Sequence, residues 1–279
     1  MLQDNRTAPD DGRAFRIEKF MAILALLLPW ILLLTASAIA GALNGIAGGG
    51  SFISFPALIF AGLPPINANA TNNTGTWVGY LASLYAYRRD FGVRSPELWR
   101  LVCISLAGGV IGSLLLLKTP QAVFAKLVPY LLLVATLLFA FNPLLKRLQR
   151  RRSHPVRRSK LALAGLSALQ LAIAIYGGFF GGGVGILLLA LFGLMGMEDI
   201  HAMNALKTIL SACINGIAMA TFIVSGAVLW PHAIVMSIGT LVGGYWGVYY
   251  VRKADPKWVR RFVISIGLGM TVYFFIETR

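Results

Sequence analysis

Acidic residues and cysteines are the scarcest groups in this chain. Asp and Glu together number 10 in 279 residues, against 25 Lys and Arg, and only Cys103 and Cys213 occur. Both cysteines fall inside apolar segments, so neither a disulfide framework nor a CxxC metal or redox site is supported. The three histidines are scattered at His154, His201 and His232, no carboxylate pair lies within an apolar segment, and no HExxH or GxSxG run is present. We therefore expect no catalytic residue, no metal, no cofactor and no enzymatic activity. Charge of either sign is thin, at 13% against 57% hydrophobic residues, which is too apolar for a soluble domain.

The distribution fixes the class. From Phe20 to Tyr87 there is no Asp, Glu, Lys or Arg, whereas a membrane-crossing helix needs only about 20 apolar residues. Further uncharged windows run from Leu161 to Met197 and from Thr208 to Val251, with shorter ones at Leu101 to Leu117, Leu127 to Leu145 and Phe262 to Ile276. The apolar stretch after the polar residues 1–19 is too long for a cleaved signal peptide, so it is read as a retained span. The expectation is an all-α, multi-pass membrane protein.

The net charge of +15 does not point to nucleic acid, because the basic residues sit in short connections between apolar segments and act as topology signals. The densest run, Lys146 to Lys160 (KRLQRRRSHPVRRSK), belongs on the cytoplasmic side, where it could also touch anionic lipid.

The sequence aligns with itself at a shift of about 134 residues. Gly45, Gly48, Gly49 and Gly50 fall on Gly178, Gly181, Gly182 and Gly183; Ile66, Ala68 and Thr74 fall on Ile200, Ala202 and Thr208; Gly108, Gly109 and Gly112 meet Gly243, Gly244 and Gly247. Glycine triplets and GGxxG in the same order imply a duplication. The expected division is a tail over 1–19, a first membrane repeat over 20–145, a basic linker over 146–160 and a second repeat over 161–279. Each repeat reads as a long helix, a glycine break, a short apolar segment and three ordinary spans. The short segment, 51–62 or 186–196, cannot cross a core of about 30 Å as a helix and must be a half-helix, its glycine break buried in protein or lining water.

If the half-helix re-enters, each copy has four crossings and the halves are parallel; if helix and glycine segment together cross, each has five and the halves are inverted. In the first copy Arg88, Arg89, Arg94 and Arg100 follow the third segment, while in the second copy Arg252, Lys253, Lys257, Arg260 and Arg261 follow the fourth. The basic side thus changes between copies, which favours inverted repeats.

Two features can bind a ligand. Gly48 to Gly50 and Gly181 to Gly183 each precede a short helix whose first amides have no partner within it, a ready anion site; close helix packing is the bland alternative. The later GGxxG pairs are assigned to packing. The third segment of each copy is polar: Asn69, Asn72, Asn73 and Thr76 share one helical face, as do Asn204, Lys207, Thr208, Ser211 and Asn215. Lys207 is the only formal charge between Asp199 and Arg252. An intramembrane cation is read as functional by default, against snorkelling of the Lys stem or an ion pair with Glu198 or Asp199. Amides, hydroxyls and an ammonium suit an anion with several oxygens.

At these residues the sequence resembles the sulfite exporter TauE/SafE family, over about Ile39 to Phe275. The resemblance is carried by GALNGIAGGGSFISFPALIFAGLPPINANATNNTG with the following YLASLYAYRRD, and by GGFFGGGVGILLLALFGLMGMEDIHAMNALKT with ING and FIVSGAV downstream. It implies a bacterial inner-membrane transporter with two homologous halves that handles sulfite, thiosulfate, sulfoacetate or other sulfonates, often outward. Carried over residue by residue, the substrate-binding set is Gly48, Gly49, Gly50, Asn69, Asn72, Asn73, Gly181, Gly182, Gly183, Asn204, Lys207 and Thr208. The first copy has Asn73 where the second has Lys207, so the expected site is asymmetric.

The expected partners are a small anionic substrate and membrane lipid, with no nucleic acid; a coupling proton or cation and the oligomeric state stay open. Glu198, Asp199 and His201 could carry a proton, although helix capping explains the two acids more simply. A non-transporting scaffold or lipid-headgroup-binding protein is the competing reading, separable from a transporter by ligand-induced stabilisation of the purified protein.

Overall fold

The computed structural model describes residues 11–46, 49–86, 96–151, 160–197, 199–251 and 256–277. Gly48, Glu198, the loop arginines Arg88, Arg89 and Arg94, and His154 with most of the basic linker lie outside them. The described residues form helices and connections only, with no strand. In chain order these are α1 (Asp11–Ile46), α2 (Ser51–Phe60), α3 (Pro65–Ala86), α4 (Pro96–Lys118), α5 (Gln121–Arg151), α6 (Lys160–Phe179), α7 (Val184–Leu194), α8 (Ile200–Val224), α9 (Trp230–Val251) and α10 (Pro256–Glu277). α1 and α5 run beyond the expected spans into charged sequence. Arg, Leu, Gln and Lys are good helix formers, so those helices continue past the apolar stretch.

Five described helices, α1, α4, α5, α6 and α8, contain windows long and apolar enough to cross a membrane. α3 is not among them, because its run from Asn67 to Thr76 lowers its hydropathy. α2 and α7 have 10 and 11 residues, a rise of roughly 15 Å each, and so are half-helices.

The burial pattern is that of a protein solvated by hydrocarbon. Leu26 is 70% exposed and Val224 89%, while Asn69, Asn72, Asn215, Thr208 and Ser54 are buried. Large apolar side chains face outward and amides, hydroxyls and an ammonium face inward, which in water would leave a large apolar patch uncovered.

Helix directions follow from residue pairs. α1 and α9 run parallel, with Gly239 against Leu34 and Gly243 against Ala38; α4 and α6 also run parallel, with Gly108 against Ala174 and Gly112 against Phe179. α3 and α8 run antiparallel, paired at Asn67 with Ala227, Asn73 with Asn215 and Trp77 with Ala212. α5 and α10 are antiparallel too, with Tyr130 against Phe275 and Thr136 against Gly267.

The GGxxG glycines make these approaches possible. A Cβ on Gly243 would overlap the carbonyl of Ala38, and one on Gly112 would overlap that of Ile175. This is the small-residue packing expected within membranes.

Candidate anion site between the polar helices

α3 carries the polar residues that tie the two glycine breaks together. Its first turns present Asn69, Asn72 and Asn73 on one helical face. Asn72 is held by the start of α2: its Oδ1 accepts from Ser54 Oγ, and its Nδ2 donates to Ser51 Oγ at 3.4 Å. Asn69 donates to the carbonyl of Phe179 at 2.9 Å, at the end of α6 just before the second break. Asn73 donates to Asn215 Oδ1 at 2.7 Å. That oxygen lies 3.5 Å from the place a Cβ on Gly181 would occupy.

Each break is built differently. At the first, Asn44 folds back so that its Oδ1 accepts from the Gly50 amide at 2.8 Å, and a Cβ on Gly50 would strike Ala40 and Asn44. At the second, Gly181 and Gly183 both take φ of +79°, a left-handed turn open to glycine. Tyr176 donates its hydroxyl to the Gly182 carbonyl at 2.7 Å and closes that turn.

The start amides are less open than the sequence suggests. The amides of Phe52 and Ile53 bond the carbonyls of Gly49 and Gly50, and those of Val184 and Ile186 bond Gly181 and Gly183. Such three-residue closures satisfy helix-start donors locally. In this conformation the breaks therefore contribute chiefly close backbone approach, and the side chains of α3 and α8 supply most of the polar surface.

On α8, Asn204, Lys207, Thr208, Ser211 and Asn215 recur at helical spacing. Asp199 is the N-cap, its carboxylate accepting from the His201 amide at 2.8 Å, the capping role expected for an acid there. Lys207 is 1% exposed, inside the bundle rather than extended to its rim. Thr208 donates to Asn204 O one turn back, as Thr74 does to Ala70 O at the matching place on α3. Because α3 and α8 are antiparallel, Asn73 and Lys207 do not stand side by side. Asn73 meets Asn215, and Lys207 sits eight residues, about 12 Å of rise, nearer the start of α8. The polar region is consequently elongated.

Of the anticipated set, the structure joins Asn72 to the start of α2, and it brings Asn69 and Asn73 to the second break. Gly48 lies outside the described residues. Asn44, Ser51 and Ser54 were not in that set, nor were Ser211 and Asn215, although their face on α8 was legible. The available signal for Asn44 was an amide at the end of an apolar helix just ahead of a glycine triplet.

One end of the bundle carries a second network. Gln121, at the start of α5, donates to Asn67 Oδ1 at 3.0 Å and accepts from the Ile66 amide at 2.9 Å. Asn67 donates to Ala227 O at 3.0 Å, and the Leu229 amide donates to Thr71 Oγ1 at 3.0 Å. The connection between α8 and α9 is thus fastened to α3.

With this geometry in place, the likeness to known proteins can be stated. The family model described as sulfite exporter TauE/SafE matches residues 33–274. The chain is 30% identical to a "Probable membrane transporter protein" of Haemophilus influenzae over 84% of this chain and 89% of that one. It is 28% identical to "Probable membrane transporter protein ORF9" of a Sinorhizobium species, over 86% and 90% of the two chains. With "Probable membrane transporter protein YfcA" of Escherichia coli K12 it shares 27% identity over 84% of each chain. No solved structure matches it significantly. These names point to a membrane transporter rather than an enzyme, and with its apolar helices this multi-pass membrane protein belongs to the sulfite exporter TauE/SafE family.

Proposed function

We propose that the chain is a secondary transporter that exports small sulfur oxyanions or organosulfonates, of the sulfite, thiosulfate or sulfoacetate kind, across the bacterial inner membrane by alternating access. The observation that carries this reading is Lys207, 1% exposed on a helix inside an apolar bundle, in line with buried Asn, Ser and Thr side chains. A cation buried within a membrane bundle is costly, and residues of this kind mark substrate or ion paths. The substrate-binding set is Asn69, Asn72, Asn73, Asn204, Lys207 and Thr208, together with the glycines Gly48 to Gly50 and Gly181 to Gly183.

The reading includes two inverted repeats, 20–145 and 161–279, joined by a basic cytoplasmic linker over 146–160. It is supported by the opposed directions of α3 and α8 and of α5 and α10. Matching approaches of α1 to α9 and α4 to α6 add further support. Such a plan places a binding site near the midplane, where the repeats meet. With the basic segments inside, the network of Gln121, Asn67, Thr71 and the α8–α9 connection lies at the outer end, which it holds closed. A lipid-headgroup role would need the polar stripe on the outer surface, whereas Asn69, Asn72 and Thr208 are buried.

The test is thermal stabilisation of the purified protein. Sulfite or a simple sulfonate should raise the unfolding temperature in a concentration-dependent way and chloride should not. No shift with any sulfur anion, from protein shown to be folded, would overturn the proposal.

A further inference from the structure

The orientation of Asn215 is fixed independently of Asn73. Its Nδ2 donates to Ser211 O at 2.8 Å, so its Oδ1 faces α3. Asn73 must present Nδ2 to that oxygen, which it does at 2.7 Å. This leaves Asn73 Oδ1 as a buried acceptor with no donor among the described residues.

One turn from Asn215, the hydroxyl of Ser211 is likewise buried and has no partner among the described residues. That is unusual among these helices: Thr74, Thr76, Ser83, Thr208 and Thr221 each bond a carbonyl four residues back. Ser211 does not. Two buried oxygens therefore lack partners on the polar faces near the α3–α8 crossing, and an amide oxygen can only accept. A ligand that satisfies it has to bring a hydrogen.

We infer that the site takes an anion that also carries a hydrogen-bond donor a few bonds from its charged group, such as a hydroxyalkanesulfonate, in preference to an anion with acceptors alone. This inference rests on the transport reading and refines its substrate class. Ser211 stands one turn, about 6 Å of rise, from Lys207. The two ends of a short substrate would thus meet different groups, its anionic head toward Lys207 and its hydroxyl toward Asn73 and Ser211. Sites built to bond a substrate hydroxyl discriminate strongly against the analogue lacking it, because the buried polar group is left unsatisfied.

Calorimetric titration of the purified full chain with 2-hydroxyethanesulfonate and with ethanesulfonate tests this, since the two differ by one hydroxyl. The expected result is about tenfold tighter binding of the hydroxylated anion, the equivalent of one net hydrogen bond. Ser211→Ala, which keeps packing, should reduce that preference, and Asn73→Leu, which removes the acceptor, should abolish it. Equal affinities in the unaltered protein, or a preference that persists in both variants, would overturn the inference and leave the transport reading standing. Absence of binding by both sulfonates and by sulfite would sink the transport reading as well.

Discussion

Asn73 on α3 donates to Asn215 on α8 at 2.7 Å, a bond that joins residues 142 apart in sequence where the two polar helices cross. Both side chains are almost fully buried, so removing one partner strands the other. Asn215→Leu should destabilise the protein by about 1 to 3 kcal/mol. Combined with Asn73→Leu, the loss should fall short of the sum by about 0.6 to 1.7 kcal/mol, the coupling such membrane bonds show. Thermal unfolding of the four proteins in detergent measures this, and strictly additive losses would mean that the pair is not coupled.

In the proposed transporter the network of Gln121, Asn67 and Thr71 would lie at the outer end, and its bonds would have to open if substrate leaves on that side. Asn67→Ala with Thr71→Val removes two bonds that fasten the α8–α9 connection, each contributing about 0.5 to 1.5 kcal/mol. The balance should shift toward an outward-open form by roughly tenfold or more. A cysteine at Ala70, fully buried on α3, reports the shift once Cys103 and Cys213 are replaced. An impermeant thiol reagent should then label it faster in intact cells. Unchanged labelling in a correctly inserted variant would show that this network is not a gate.

Much of the architecture was legible because its signals are local. Uncharged windows located the long helices, and the breaks at Gly48 to Gly50 and Gly181 to Gly183 separated α2 and α7 from their neighbours. Within the site, the faces of α3 and α8 could be read from spacing, but their relative height could not. Aligning Lys207 with Asn73 placed them at equivalent positions in sequence, whereas antiparallel packing sets Asn73 against Asn215. Asn44 was hidden for another reason: its bond to Gly50 spans a break, where helical periodicity no longer says which residues meet. The closure of start amides onto Gly49, Gly50, Gly181 and Gly183 was not legible either, since it depends on backbone geometry within the breaks.

The first glycine break offers a contrast within one triplet. A Cβ on Gly49 would meet Phe52, Val263 and Phe139 at 3.3 to 3.5 Å, side chains that can give way. One on Gly50 would strike the backbone carbonyl of Ala40, which cannot. Gly49→Ala should therefore cost under about 1 kcal/mol, and Gly50→Ala near the upper end of the 1 to 3 kcal/mol typical of overpacking. Gly49→Leu, with a side chain too large for the gap, should lower transport while leaving protein in the membrane. Equal unfolding temperatures for the two alanine variants would contradict the close approach of α1 to the start of α2.

The proposed topology rests on the loop charges and on the opposed directions of α3 and α8 and of α5 and α10. Single cysteines at Ser153 and Lys257, in a background without Cys103 and Cys213, should both be shielded from an impermeant reagent in intact cells and both react after permeabilisation. The basic residues around each position favour the cytoplasmic face. Labelling of Lys257→Cys alone would place the two positions on opposite sides and require parallel halves.

Lys207 is the most exacting test of the site, because its burial can be read as recognition or as an accident of packing. Desolvating an anion costs several kcal/mol, and one charge-assisted hydrogen bond returns only about 1.5 to 3. The ammonium thus has to act with the neighbouring amides and hydroxyls of α3 and α8 rather than alone. Lys207→Met keeps the length and apolar stem while removing the charge. It should retain insertion, since an apolar side chain is easier to bury in hydrocarbon than a charged one, and it should lose anion binding and export by at least about tenfold. Lys207→Arg keeps the charge but replaces a compact ammonium with a planar fork, so it should retain partial activity at best. Comparison of sulfite or sulfonate binding with export from membrane vesicles, at matched protein levels, separates the outcomes. If Lys207→Met binds and exports as the unaltered protein does, the ammonium has no part in recognition, and the anion path must be sought away from α8.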